Sequence, residues 1–240
     1  MNDLQQLPLP SRVLVIVAHP DDPEFPAAGT IACWASQGVH VTYAIVTDGS
    51  KGSSEPGMTS EQLIAMRQVE QRAAAAVLGV HDVHFLGYED GRVINNTDLK
   101  RDCVRLLRQF RPDVLITHDP TARIINNQRI NHPDHRAVGD AVLDAVYPLA
   151  RDRLNFPEHE AEGLEPHKVL DMFLTGTNEP NLTVDITSTL DKKIAALLEH
   201  KSQIGEPEKL EERMRDFAAR SAEGTSFEYA ERFRRVQLSG

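Results

Sequence analysis

Apolar and polar positions along the chain fall into strand-like and helix-like stretches that take turns. Residues Arg12 to Ala18 carry the unbroken run Val13-Leu14-Val15-Ile16-Val17, the pattern of a strand covered on both faces, as at the centre of a parallel sheet. Gly29 to Gln37 then reads as a helix, Val39 to Val46 as a second strand, Thr59 to Leu78 as a long helix and Asp82 to Phe85 as a third strand. Asn96 to Phe110 is a further amphipathic helix, which Arg111-Pro112-Asp113 breaks before Val114-Leu115-Ile116-Thr117, a fourth strand. After a long loop a helix runs from His132 towards Tyr147, with Val138, Val142 and Val146 at four-residue spacing on its inward face. The proline-bearing stretch 157–166 reads as a loop, two short strands follow at Lys168 to Phe173 and Leu182 to Asp185, and two helices close the chain. This alternation predicts an α/β, Rossmann-like layered fold: a mainly parallel central sheet flanked by helices, with C-terminal strands and helices added. With 240 residues, and neither linker nor repeat, 1–240 is expected to form one domain.

Two clusters of histidine and carboxylate sit on this frame: His19-Pro20-Asp21-Asp22 just past the first strand, and His132-Pro133-Asp134-His135 at the mouth of a later helix. Each alone has an ordinary structural reading, since Asp-Asp after a strand caps turns and helices and proline with acid suits a first helical turn. Together they fall past strands expected to be neighbours in one sheet, where α/β folds place their sites. Imidazole nitrogen and carboxylate oxygen suit a borderline divalent cation, so His19, Asp22 and His135 are the expected ligands of Zn²⁺ or another divalent transition metal. Three ligands leave a position open for water. Asp21 is then free to take that water's proton, and a protonated His132 faces the substrate oxygen. Asp134 either orients His132 and raises its pKa or merely adds charge to a helix start.

Composition narrows the partners. A formal net charge of −10 argues against nucleic acid or an anionic membrane. The first strand-to-helix turn lacks G-x-G-x-x-G and offers carboxylates instead, which disfavours a nucleotide. A small molecule is the expected partner. Cys33 and Cys103 each lie in an amphipathic helical pattern and are expected as buried free thiols, and residues 1–10 do not resemble a signal peptide. No apolar run reaches membrane-spanning length, so the protein is expected to be cytoplasmic. His118-Asp119, after the fourth strand and close to the expected site, reads as a solvated loop in preference to a substrate contact, and His200 as a cation at a helix end.

The segment Ala18-His19-Pro20-Asp21-Asp22-Pro23-Glu24-Phe25, followed by Gly29-Thr30, resembles the first motif of the PIG-L/LmbE-like family of zinc-dependent N-deacetylases, and His132-Pro133-Asp134-His135 its second. Thr47-Asp48-Gly49, Arg67 and Glu70 in the helix ending Leu78-Gly79-Val80, Asp90-Gly91, Ser202-Gln203 and Tyr229-Ala230-Glu231-Arg232-Phe233 agree with the family in order, from about residue 12 to the C-terminus. One departure is Pro23 and Pro26, where the family usually carries small, glycine-rich residues. Proline removes backbone donors, so a stiffer loop is expected. The resemblance implies a hydrolase in which metal-bound water attacks the amide carbonyl of an N-acetylglucosamine-type substrate. It also implies substrate contacts for Arg67 and Asp90, although an arginine three residues before a glutamate is commonly a surface pair. Asp48 supports the metal loop or simply ends a strand. A close variant is amide cleavage on a thiol conjugate or a secondary metabolite. A phosphoesterase is disfavoured because two-metal sites need more bridging carboxylates, and a non-catalytic binding protein because Asp21 and His132 are both present. Members of the family are often oligomeric, and Ile194, Leu197, Leu198 and Phe217 could finish the core or pair with another chain to form a homo-oligomer.

Overall fold

The computed structural model describes residues 2–3 and 7–238. In chain order its strands are β1 (Asn2–Asp3), β2 (Arg12–Val17), β3 (His40–Thr47), β4 (Asp82–Tyr88), β5 (Val114–His118), β6 (Ile124–Ile125), β7 (Arg129–Ile130), β8 (Asp171–Thr175), β9 (Leu182–Asp185) and β10 (Ala230–Gln237). Its helices are α1 (Glu24–Ser36), α2 (Ser60–Leu78), α3 (Thr97–Phe110), α4 (Pro133–Asp144), α5 (Pro157–Ala161), α6 (Leu190–Leu198) and α7 (Pro207–Ala222). The sheet runs β1-β9-β10-β8-β5-β2-β3-β4. Strands β4, β3, β2, β5 and β8 are mutually parallel neighbours, whereas β10 is antiparallel to both β8 and β9.

Side chains alternate across a strand, and β2 shows why its apolar run is unbroken. Val13, Val15 and Val17 enter a cluster with Ile31 and Trp34 of α1, Leu78 of α2, Leu197 of α6 and Leu210 of α7. Leu14 and Ile16 enter the opposite cluster with Leu99, Cys103 and Leu107 of α3 and Val138 and Val142 of α4. Both faces are covered, so no position can be polar. From β2 the chain winds outward through β3 to β4 and then returns to β5 on the other side. Loops leaving β2 and β5 therefore part in opposite directions, which opens a crevice at their carboxyl ends.

Elements differ from expectation where polar residues are absorbed. Helix α1 begins at Glu24, five residues early, because Pro23 sits at its cap with φ −66° and Pro26 lies in the first turn. Proline is tolerated there since those N–H groups have no helical acceptor, so the proline pair builds a helix start rather than a stiff loop. The stretch 157–166 contains α5, and the long loop before α4 contains the hairpin β6–β7. Two helices do not close the chain, because β10 follows α7 and inserts between β8 and β9. Ile194 and Leu197 are core residues, while Leu198 and Phe217 are exposed. Cys103 is buried, Cys33 half-buried, and both are free. Among the described residues no helix is long and apolar enough to cross a membrane.

Candidate metal and active centre

His19 leaves the end of β2 and is followed by a tight turn in which Asp22 N–H donates to the His19 carbonyl at 3.2 Å. Asp22 Oδ2 accepts the His19 N–H at 2.7 Å. The turn forces Asp21 to φ 89°, a left-handed conformation that costs a non-glycine residue energy. From the other side, α4 starts with His132 as its cap, whose Nδ1 accepts the Asp134 N–H at 3.2 Å, and Pro133 as its first residue. One turn of helix then carries His135 inward over the β2 loop.

His19 Nδ1 lies 3.2 Å from His135 Nε2 and 3.2 Å from Asp22 Oδ2, and Asp22 Oδ1 lies 3.1 Å from His135 Nε2. Ligand atoms about 2.0–2.2 Å from a tetrahedral ion stand about 3.3–3.6 Å apart, so these donors need only a small expansion to receive one. Carboxylate and two imidazoles also match a divalent transition metal chemically. His135 shares one group able to hold an ion with His19 and His132, and another with Asp22 and His118.

The other ring nitrogen of His19 is also engaged. Its Nε2 lies 3.2 Å from Asp90 Oδ1 and 3.2 Å from Asp134 Oδ2, which fixes the proton on Nε2 and leaves Nδ1 for the ion. Asp134 is fully buried and accepts from Gly91 N–H at 2.7 Å and Val93 N–H at 3.2 Å. Its carboxylate is 4.0 Å from His132. Asp134 therefore orients His19, a candidate ligand, through its side chain and His132 only through its backbone N–H. Burial lowers the His19 pKa, but the carboxylates of Asp134, Asp22 and Asp90 overcome it and push it up to about 12. Burial would raise Asp22, yet His135 and His118 hold it well below the usual carboxylate range.

His118 occupies no solvated loop. It ends β5, is buried, stacks on His135 with ring centroids 4.0 Å apart, and accepts the Ala18 N–H through Nε2 at 3.0 Å. Burial, then the nearby His135, pushes its pKa down to about 4, so it braces His135 as a neutral ring. Asp21 points to the other side of the turn, where its Oδ2 lies 3.5 Å from the Arg67 guanidinium. Burial and the charge of Asp22 raise the Asp21 pKa to about 7. Burial and neighbouring His19 lower the pKa of His132. With Nδ1 already an acceptor, His132 offers a neutral Nε2–H to the cleft, in place of the charged donor expected.

Arg67 and Asp90, expected at the substrate, are buried in the walls. Arg67 donates to the carbonyls of Pro20 at 2.6 Å and Gly49 at 3.0 Å, so it ties the metal loop to the loop after β3. Asp90 spends its second oxygen on Lys51 N–H at 3.1 Å. Asp48 Oδ1 accepts from Ser50 N–H and Asp90 N–H, so it shapes the backbone that presents Asp90 rather than touching a ligand. A buried chain also runs from Asp21: its N–H to Gln71 Oε1 at 2.8 Å, Gln71 Nε2 to Glu24 Oε1 at 2.9 Å, and Glu24 Oε2 to His200 Nε2 at 3.1 Å. His200, just past the end of α6, is thus a buried partner of the first motif, and burial is outweighed by Glu24, which raises its pKa. The last two residues of that motif, Gly29 and Thr30, also have physical reasons. A Cβ at Gly29 would meet Ile186 at 2.7 Å, and Thr30 hydrogen-bonds Glu231 through N–H and hydroxyl.

Asp22, His118, His132 and His135 form the floor of a cleft of about 850 Å³, whose walls are the start of α1, the β6–β7 hairpin, the loop after β8, and α7. Asp22, His135 and the His132 Nε2–H face that floor, while Asp21 sits behind the turn beside Arg67, an arrangement suited to adding water to a carbonyl.

Comparison with known proteins gives the same reading. The chain is 31% identical over 195 residues to diacetylchitobiose deacetylase of Thermococcus kodakarensis, covering 81% of this chain and 71% of that one. It is 30% identical over 246 residues to the 1D-myo-inositol 2-acetamido-2-deoxy-alpha-D-glucopyranoside deacetylase of Thermobispora bispora, covering 80% and 79%. Its fold is similar to that of N,N'-diacetylchitobiose deacetylase from Pyrococcus horikoshii, with TM-score 0.87 and 30% identity over 95% of this chain and 84% of that one. The model of the PIG-L family, described as GlcNAc-PI de-N-acetylase, matches residues 14–146, from within β2 to just past the end of α4, and the chain belongs to that family.

Proposed function

We propose that the chain, as one domain over 1–240, is a cytoplasmic zinc-dependent N-deacetylase that hydrolyses the acetamide of an N-acetylglucosamine-type substrate. The observation that carries this reading is the placement of Asp21: beside the ligand Asp22 in sequence, yet turned by its left-handed backbone away from the triad and raised towards neutral pKa. His19, Asp22 and His135 would hold the ion. A divalent cation there supplies Lewis acidity, which polarises the amide carbonyl and acidifies water.

Asp21 takes the proton of the attacking water, for which a pKa near 7 is well matched at neutral pH. The His132 Nε2–H donates to the oxyanion that develops on the carbonyl, a contact that strengthens only as charge builds. Asp21 then returns its proton to the amine nitrogen as the C–N bond breaks, since neutral His132 has its one proton on the oxyanion. The products are acetate and the protonated amine: one proton of the water reaches nitrogen through Asp21, and the other leaves the hydroxyl of the tetrahedral adduct for the same amine, so the water is fully accounted for.

The test is an assay of zinc-loaded protein against a panel of N-acetylated sugars, with both free amine and acetate quantified. Stoichiometric release of the two products is expected. Turnover of phosphate esters and of no acetamide would overturn the reading.

A further inference from the structure

The cleft extends well past what an acetamide requires, and its far wall is unlike the rest of the molecule. Acidic residues outnumber basic ones 36 to 26 in the chain, yet four arginines line this cleft: Arg129 of β7, Arg213 and Arg220 of α7, and Arg232 of β10. Arg232 is committed, donating to the carbonyls of Ser221 at 2.5 Å and Glu223 at 2.8 Å. Arg129, Arg213 and Arg220 are exposed and have no ion-pair partner among the described residues. Outside the cleft the same helix behaves differently, since Arg215 is paired with Asp191 at 2.7 Å and Glu211 at 2.9 Å.

The carboxylates in the wall do not neutralise this group. Asp22 faces the imidazoles, and Glu231 is tied to Lys193 at 2.7 Å. Only Asp216 remains to oppose three free guanidinium groups. On α7, residues 213, 217 and 220 follow the four- and three-residue spacing that places side chains on one face, so Phe217 lies between the two arginines. Half-exposed and apolar, Phe217 offers a surface on which a sugar ring can pack, with a cation on either side.

We propose that the substrate is an N-acetylated amino sugar whose aglycone carries an anionic group, a carboxylate or a phosphate, read by Arg213 and Arg220 from α7 with Arg129 facing them. The inference rests on the deacetylase reading and adds the chemistry of the distal half of the substrate. A cleft of about 850 Å³ has room for it, being near the upper end of the roughly 300–1,000 Å³ typical of ligand sites.

The experiment compares two nearly isosteric substrates, the carboxymethyl and carbamoylmethyl glycosides of N-acetylglucosamine, with N-acetylglucosamine 1-phosphate as a third arm that separates phosphate from carboxylate. The readout is the ratio of kcat/KM for the anionic over the neutral substrate. Two exposed charge contacts predict a ratio of about 10 at low salt, shrinking as ionic strength rises. In R213Q/R220Q the ratio falls towards 1, in R213E/R220E it drops below 1, and in R215Q it stays at the wild-type value. Because these side chains are exposed and Gln and Glu keep helix propensity, the variants fold. A wild-type ratio near 1 for both anions, or a ratio unmoved by R213E/R220E, overturns the proposal while leaving deacetylation intact. Absence of hydrolysis of every acetamide overturns the deacetylase reading, and this one with it.

Discussion

Asp134→Asn separates two roles that one carboxylate could play at this centre. The asparagine keeps the shape but replaces one oxygen with a donor. Oδ2 serves both Gly91 N–H and His19 Nε2, whereas Oδ1 serves only Val93 N–H, so the amide settles with its NH₂ facing Val93. Two donors then face each other in a site with no exposed surface. An unsatisfied buried donor costs about 1–3 kcal/mol, which lowers Tm by roughly 2–12 °C in a protein of this size. His19 keeps an acceptor but loses a charged one. Loss of such a support weakens metal binding by about 10- to 100-fold, and Asp90, still 3.2 Å from the same nitrogen, holds the single variant near 10-fold. Asp134→Asn with Asp90→Asn should reach about 100-fold. Competition for zinc with a chromophoric chelator gives the affinity, a thermal melt the stability, and turnover at saturating zinc should recover most of the wild-type kcat. Unchanged zinc affinity and Tm, with kcat at saturating zinc reduced more than about 10-fold, would refute the argument and show that Asp134 works through His132 despite the 4.0 Å between them.

Asp21→Asn should cut turnover at least about 10²-fold while zinc content, measured by atomic emission, stays near stoichiometric; loss of zinc would instead make Asp21 a ligand. His132→Ala should lower kcat by about 10²-fold or more with zinc affinity little changed, because an oxyanion donor acts in the transition state; an unaltered kcat would leave His132 as a helix cap. Gln71→Leu removes the acceptor of Asp21 N–H. It should reduce kcat about 10-fold or more by releasing the turn that aims the base, with KM nearly unchanged, and a rise in KM alone would argue against that aim.

The parallel half of the sheet was legible because its strands are apolar on both faces, as in Val13 to Val17, and a sheet of this kind admits few topologies. The helix α2 was legible from its ends: Thr59 and Gln62 form a reciprocal cap, and Gly79 supplies the left-handed φ of 86° that stops it. Strand β10 was not, since its polar side chains find partners far away in sequence. Glu231 is buried against Lys193, and Arg235 is half-buried against Asp171, and a pair of this kind reads in one dimension as two exposed charges. The same reasoning divides the site. His19, Asp22 and His135 announce themselves by type and by position past strands, but their supports come from the ends of β4, β5 and α6, where only the folded topology brings Asp90, His118 and His200 near them. Nothing local marks His200. His118 did carry a signal, standing at the end of a strand beside the crevice, and its burial was the missing fact.

The insertion of β10 between β8 and β9 also sets an order of events during synthesis. Glu231 accepts the N–H groups of Gly29 and Thr30 across 202 and 201 positions of chain. At about 5–20 residues per second, roughly 10–40 s pass between the emergence of those two segments from a ribosome. During that interval the nascent chain can pair β2, β3, β4 and β5, yet β8 presents an open edge. The helix that follows the metal loop waits for the last strand to anchor it, so quality control acting on unfinished chains would meet the motif before its clamp.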